Sequence, residues 1–257
     1  MDLQLKDKVI IVSGGAKGIG AGIVKMLVAE DAIPVIIGRN AEDNEKFLKE
    51  TGSAKAIHVV AELSDPRQCE EAIEKCVKKF GRIDGLVNNA GVNDGVGLEN
   101  GNYERFMESL HKNLVHYYLL AHHALPYLKK STGSIVNISS KTAETGQGNT
   151  SAYAASNGGR NALTREWAVE LLKYNIRVNA VIVAESYTPL YEKWIQSLPN
   201  PQAKLDQIKS KIPLGKRMTT TEEIAAMVVF LLSERSSHTT GQLIHVDGGY
   251  VHLDRAL

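Results

Sequence analysis

Short apolar runs rich in β-branched residues recur along the chain at Lys8–Ser13, Ile33–Ile37, Ala56–Val60, Ile83–Val87, Ser134–Ile138, Ile176–Val181 and Leu243–Val246. They are continuous rather than alternating, the pattern of strands covered on both faces. Amphipathic stretches at 18–30, 66–80, 103–129, 152–173 and 221–233 fill the gaps and predict helices. Strand, helix, strand in repetition predicts right-handed crossovers and an α/β fold: a doubly wound parallel sheet with helices on both faces. No repeat, low-complexity segment or linker divides the 257 residues, so a single domain is expected over 1–257. Open α/β sheets reach that length as one core. The long irregular piece, Val183 to about Met218, carries Pro189, Pro199, Pro201 and Pro213, with a short helix expected at Tyr191–Leu198. Lying beyond the carboxyl end of a strand, this 183–218 segment is expected to lid a substrate.

Charge narrows the chemistry. The chain is 43% hydrophobic and 23% charged, with a formal net charge of +1 and no basic or acidic run. Nucleic acid and anionic membrane are therefore not expected as partners, and a small-molecule substrate is. The N-terminus runs almost directly into the first strand without the pattern of a signal peptide, and no apolar run approaches the roughly 20 residues that cross a bilayer. The expected address is cytoplasmic. Cys69 and Cys76 lie two turns apart on a predicted helix and read as packed thiols of a reducing compartment. His111, His116, His122 and His123 share one helix with no acidic or cysteine pattern to complete a ligand set, so no metal site is expected.

The first strand ends in Ser13-Gly14-Gly15-Ala16-Lys17-Gly18-Ile19-Gly20 and a helix begins at once. Glycines there permit a tight turn and close backbone approach to a pyrophosphate, and the helix N-terminus offers free N–H groups to it. This is a Rossmann-type nucleotide loop. Its spacing resembles the TGxxxGxG of the short-chain dehydrogenase/reductase family, with Ser13 in place of threonine. The resemblance covers nearly the whole chain: Asn88-Asn89-Ala90-Gly91 after the fourth strand, Asn113 in the following helix, Asn137-Ile138-Ser139-Ser140 ending the fifth, Tyr153 thirteen residues after Ser140, and Asp247-Gly248-Gly249 after the last. It implies hydride transfer between a nicotinamide and a carbinol or carbonyl carbon. It also implies that Ser13, Gly14, Lys17, Gly18, Ile19, Gly20, Glu62, Leu63, Asn89, Ala90, Gly91, Ser186 and Thr188 line the cofactor, with Tyr153 and residue 157 at the nicotinamide ribose. The second strand ends Gly38-Arg39 where many NAD-using relatives carry an acid. Arg39 can grip a 2′-phosphate and Lys17 adds a second cation, which favours NADP, with NAD as the alternative.

By the same resemblance Tyr153 is the base, Ser140 binds the substrate oxygen and Asn113 holds a relay water. A free phenol ionises near pH 10 and is a poor base at neutrality. The family corrects this with a lysine four residues on, but here Tyr153-Ala154-Ala155-Ser156 is followed by Asn157. A cation about 5 Å away at an effective dielectric near 20 is worth roughly 3 kcal/mol, or about two pKa units, which asparagine does not supply. Lys141 and Arg160 are the nearby cations, expected as ordinary surface or interface charges. A second departure replaces PGxIxT by Val183-Ala184-Glu185-Ser186-Tyr187-Thr188, putting Glu185 beside the nicotinamide.

Gly91-Val92-Asn93-Asp94-Gly95, Ser140-Lys141-Thr142, Gly146-Gln147-Gly148-Asn149-Thr150, Ala184-Glu185 and Thr188-Pro189-Leu190-Tyr191 resemble a narrower group, sugar dehydrogenases similar to bacterial L-fucose dehydrogenase, as does the tail from His252 to Leu257. A sugar needs paired polar groups for adjacent hydroxyls and an apolar plate. Asn93, Asp94, Gln147 and Glu185 can supply the first and Trp194 the second, with Ser140 and Tyr153 at the reacting oxygen. Three readings stand: a sugar dehydrogenase that oxidises a sugar such as L-fucose to its lactone, a carbonyl reductase on another small polar substrate, and a weakly active or non-catalytic nucleotide-binding protein because of Asn157. The apolar surplus on 103–129 and 152–173 adds an expected homo-oligomer, dimer or tetramer.

Overall fold

The computed structural model describes residues 2–253. The apolar runs form β1 (Val9–Ser13), β2 (Ile33–Gly38), β3 (Ile57–Val60), β4 (Gly85–Asn88), β5 (Ser134–Ser140), β6 (Arg177–Val183) and β7 (Leu243–Val246). They make one all-parallel sheet in the order β3-β2-β1-β4-β5-β6-β7. The chain winds outward in one direction from β1 and in the other from β4. The crevice between those two strands is the switch point at which such sheets bind ligands.

One face is covered by α1 (Gly18–Ala29), α2 (Ala41–Thr51) and α9 (Thr221–Leu232). The other carries α3 (Pro66–Phe80), α5 (His116–Ser131) and α6 (Ser151–Glu170), with α4 (Tyr103–Leu110) leading into α5. Because both faces are covered, neighbours such as Ile10, Ile11 and Val12 are all buried although they point in opposite directions. Each such side chain contributes about 1.5–3 kcal/mol of transfer free energy. The family of interlocked apolar layers, an α/β single domain, is as the alternation predicted.

Three differences from the sequence pattern have physical causes. The helix α2 shows little apolar periodicity because only Asn44 and Phe47 are buried. Its signals are local: the Asn40 side chain caps the Asp43 N–H at 2.9 Å, and Gly52 ends it at φ 66°. Between β6 and α9 the expected irregular segment holds two helices, α7 (Pro189–Gln196) and α8 (Pro201–Ser210), the second with no buried residue and hence no pattern to read. The predicted helix 103–129 is interrupted by a π-turn over His111–Val115, a widening frequent at functional sites. Cys69 and Cys76 are free and buried on α3, where burial pushes both thiols up to about 12. Among the described residues no helix is long and apolar enough to cross a membrane. Residues Asp254 to Leu257, part of the tail read above, lie outside the described residues.

Candidate active site

The cradle at the switch point is built by backbone. Gly14 adopts φ +65°, and a Cβ on Gly20 would fall on the Gly14 carbonyl and 2.7 Å from the Asn89 amide nitrogen. Lys17, the N-cap of α1, makes no side-chain cap, which leaves the first helical N–H groups for an anion. Gly18 abuts Thr188, 3.3 Å from where its Cβ would stand, so the phosphate loop meets the start of α7. Ser13 and Asn89 shape this cradle. The buried Ser13 hydroxyl accepts from the N–H groups of Asn89 (2.9 Å) and Ala90 (3.0 Å), and the Asn89 amide donates to the carbonyls of Ser13 and Gly14. The Ser186 hydroxyl is buried with no partner, a state that costs about 1–3 kcal/mol unless something bonds it. A glycine cradle at a helix N-terminus with an orphaned hydroxyl beyond it fits a dinucleotide.

At the end of β2 the two expected free cations are each paired. Lys17 meets Asp43 at 2.5 Å, and the largely exposed Arg39 faces Glu62 at 3.8 Å. Burial pushes the Glu62 carboxyl up. Hydrogen bonds from the Ser64 N–H and hydroxyl, with the Arg39 charge, outweigh that and hold it below its ordinary value. Leu63 beside it is buried.

The catalytic end gathers around α6. Ser139 on β5 donates to the Asn157 carbonyl at 3.3 Å and Arg160 donates to the Ile138 carbonyl at 3.2 Å. These bonds fasten α6 along the end of β5, where the partly exposed Ser140 and Tyr153 both lie. Asn157 does not reach towards a ribose: it is fully buried, its amide donates to the Tyr153 carbonyl at 2.8 Å, and its oxygen accepts from Arg160 at 3.0 Å. Asn113 sits in the π-turn, its side chain spent on the Val92 N–H (2.7 Å) and the Ser109 carbonyl (3.0 Å). The Asn113 carbonyl takes the Arg160 Nε–H at 2.7 Å. Lys141 and Arg160 are not surface charges but are buried, at 7% and 3% exposure. Gly91 makes room for this packing, since a Cβ there would stand 2.9 Å from Arg160 Nη2 and 3.0 Å from Asn113 Oδ1.

Of the substrate candidates, the partly buried Glu185 pairs with Lys141 and accepts the Tyr191 hydroxyl at 2.8 Å. Burial and that carboxylate raise the Tyr191 phenol well above its ordinary value. Sequence reading gave Tyr191 no role of its own, since no motif links it to Glu185 six residues earlier. Trp194 packs edge-on against the Tyr191 ring and is half exposed. Gln147 lines a cavity of about 480 Å³ next to Lys141 and Tyr250. Asn93 and Asp94 are turned to local duties, the first to the Gly95 N–H and the second to the Ser109 hydroxyl. The histidines of α5 serve separate neighbours: His122 stacks on Tyr118, and His123 faces Glu70. A cluster that the sequence did not reveal, Glu144, His245 and His252, brings its ligand atoms within 4.8 Å of one another.

A phosphate cradle on one side and a hydroxyl and phenol on the other leave room for one class of chemistry, nucleotide-dependent oxidation and reduction. The family model described as enoyl-(acyl carrier protein) reductase matches residues 14–251. The chain is 37% identical over 253 residues to the 3-oxoacyl-[acyl-carrier-protein] reductase of Thermotoga maritima, covering 97% of this chain and 100% of that one. It is 34% identical over 250 residues to the L-fucose dehydrogenase of Bos taurus, covering 97% and 91%. The crystal structure of Cj0485 dehydrogenase superposes with a TM-score of 0.96 at 50% identity, over 100% of this chain and 99% of that one. The chain belongs to the short-chain dehydrogenase/reductase family, as an NAD(P)-dependent oxidoreductase acting on CH–OH groups.

Proposed function

We propose that the chain oxidises a small sugar such as L-fucose at its ring carbinol, giving the lactone. The observation that carries this reading is the polar substrate end of the cleft. Next to Ser140, the buried Lys141 and the partly buried Glu185 form an ion pair joined by the Tyr191 hydroxyl, and Gln147 and Tyr250 line the adjoining cavity. An acyl chain would meet a charged floor there, whereas a polyol meets donors and acceptors. The residues that fit the nucleotide are the 14–20 backbone, Thr188 and Ser186, and the nicotinamide supplies the hydride acceptor when bound. Ser140 holds the substrate oxygen. Tyr153 takes the hydroxyl proton as the C–H bond breaks and its electron pair leaves as hydride, so the carbinol becomes a carbonyl. Thr188 and the helices α7 and α8, within the 183–218 lid, close over the site.

Turnover with L-fucose, D-arabinose, L-galactose and a 3-oxoacyl thioester, each with both nucleotides, tests the reading. Oxidation of at least one sugar with a higher kcat/KM than thioester reduction is expected, and the reverse order overturns it. NADP is the preferred nucleotide on this reading, through Arg39 and Lys17. The chain is a homo-oligomer: Tyr118, Val169 and Leu172 stand exposed on α5, α6 and the turn after α6, and β7 is an edge strand whose residues are all partly exposed.

A further inference from the structure

We propose that Arg160 supplies the positive charge that lets Tyr153 act as a base, standing in for a cation at position 157. The guanidinium is placed by geometry legible on one helix: Tyr153, Asn157 and Arg160 follow at i, i+4 and i+7 and so share a face of α6. Its donors end on neutral carbonyl oxygens, those of Asn113, Ile138 and the Asn157 side chain. Its central carbon lies 4.3 Å from the Tyr117 ring centroid and 6.0 Å from that of Tyr153. Among the described residues no carboxylate pairs with it. A buried cation without a counter-ion is costly, and it is retained where a negative charge forms during function.

The groups around it leave one place for that charge. From α5, His116 is pushed down to about 3 by burial and by Arg160, so it stays neutral. Tyr117 is pushed up to about 12 by burial. From the turn after β5, Lys141 is neutralised by Glu185, itself bonded to Tyr191 of α7, and lies against the Tyr250 ring. Gly91, Asn113, Ile138 and Ser140 bring no charge. The surplus of one positive charge is relieved when Tyr153 loses its proton, so the stabilisation is greater in the reacting state than in the resting one. Asn157 then ties the guanidinium to the Tyr153 backbone carbonyl, holding Arg160 on the face of α6 that carries the base. Arg160 touches Asn157 and Asn113, not substrate, and is a positioning residue.

This inference rests on the oxidoreductase class and not on the sugar, and its test needs no substrate. Ultraviolet difference titration of the unmodified protein against Tyr153→Phe isolates the tyrosinate signal of Tyr153. In Arg160→Gln that signal should move towards alkali, since the substitution removes the unpaired cation that packs near the Tyr153 ring. Arg160→Lys should restore most of it. With any oxidisable sugar, kcat at neutral pH should fall 10- to 100-fold in Arg160→Gln while nucleotide affinity changes less than threefold. An unmoved tyrosinate signal overturns the proposal. Should Arg160→Gln fail to fold, Asn157→Lys decides: the new amine would abut an existing guanidinium and stay largely uncharged, so little change is expected. A hundredfold gain at neutral pH would show that Arg160 supplies no charge.

The geometry points to a second, independent site, for a divalent transition-metal ion of the zinc type at Glu144, His245 and His252. These come from the turn after β5, from β7 and from the turn beyond it. Glu144 Oε2 lies 3.0 Å from His245 Nε2 and 3.9 Å from His252 Nε2, straddling the separation of about 3.4 Å that bonds near 2.0–2.1 Å subtend at a tetrahedral ion. The two rings pack edge to face at 4.3 Å, which already gathers the nitrogens. Two imidazoles and a carboxylate suit zinc, with water in the fourth position. Such an ion would tie the turn after β7 to the turn that carries Lys141. Calorimetric titration of chelator-treated protein with Zn²⁺ should find one ion per chain, with binding weakened at least tenfold in His245→Ala and in His252→Ala. No stoichiometric binding, or binding indifferent to both substitutions, overturns it.

Discussion

Replacing Asp43 by asparagine should strengthen NADP binding and leave NAD binding almost unchanged. The sequence presents Lys17 and Arg39 as two cations for a 2′-phosphate, but in the fold Asp43 holds Lys17 at 2.5 Å and Glu62 faces Arg39 at 3.8 Å. These four side chains sum to zero charge. A 2′-phosphate reaching Lys17 must therefore approach Asp43 as well. With a phosphate charge of roughly −2, a carboxylate about 5 Å away in water-like dielectric costs about 1.7 kcal/mol. Screening over a Debye length of about 8 Å halves this to about 0.9 kcal/mol, or four- to fivefold in affinity.

Asp43→Asn removes that cost and frees Lys17, while the side chain keeps its shape at the third position of α2. The helix loses a favourable charge near its N-terminus, about 0.3–1 kcal/mol of stability, which a melting curve would register separately. Calorimetric titrations with both nucleotides at physiological and at high salt provide the assay. The expected NADP:NAD affinity ratio rises about fivefold in Asp43→Asn at physiological salt, by the screened Coulomb estimate. That gain should shrink when salt is raised, and Arg39→Ala should lower the ratio. A ratio that falls or stays fixed in Asp43→Asn at both salts would refute the placement of the 2′-phosphate between these pairs.

Light scattering should give a mass that is a multiple of 28.1 kDa, and Val169→Glu with Leu172→Glu should reduce it; a monomer before substitution would contradict the assembly. Glu223 closes a capping box on α9, and the Arg217 side-chain hydrogen bond, followed by the Thr220 N–H, holds its carboxyl down to about 2. Because the folded value is depressed, its stabilisation is complete above the unfolded value near 4.3 and is lost as pH falls towards 2. Glu223→Gln should thus lower the melting temperature at pH 7 by a few degrees, with the gap closing in acid. Glu185→Gln should raise sugar KM about tenfold with nucleotide affinity unchanged. It should also destabilise by about 3 kcal/mol through the buried Lys141 charge, while Lys141→Met with Glu185→Leu is milder than either single change; equal damage in the double variant would count against the pair as drawn.

The sheet was legible because it is buried on both faces. Seven continuous apolar runs admit few other arrangements, and the glycine cluster after the first marks the switch point without help from any partner. What escaped is what depends on a second segment. Helix α8 buries nothing and leaves no period to read. The carboxylates that face Lys17 and Arg39 come from α2 and from the segment after β3, and no spacing rule joins those positions. Ser13 and Asn89 were seen as ligands because their positions fit a motif, yet each spends its side chain on the other's backbone.

Position 157 shows the difference most clearly. Compared with a template, asparagine there is a missing cation. The spacing of Tyr153, Asn157 and Arg160 was plain in the sequence, and it places all three on one face of α6. The unforeseeable part was the pocket that admits Arg160. It needs the π-turn that turns the Asn113 carbonyl inward, the end of β5 that offers the Ile138 carbonyl, and Gly91, whose lack of a Cβ leaves the space that Nη2 fills. These lie on three separate elements, and only the fold brings them round a residue that would otherwise be expected in solvent. Electrostatics asks where a charge stands relative to the base and how well it is desolvated, not which sequence position carries it. On that criterion the proposed cation is Arg160, which enters one turn further along the same helix.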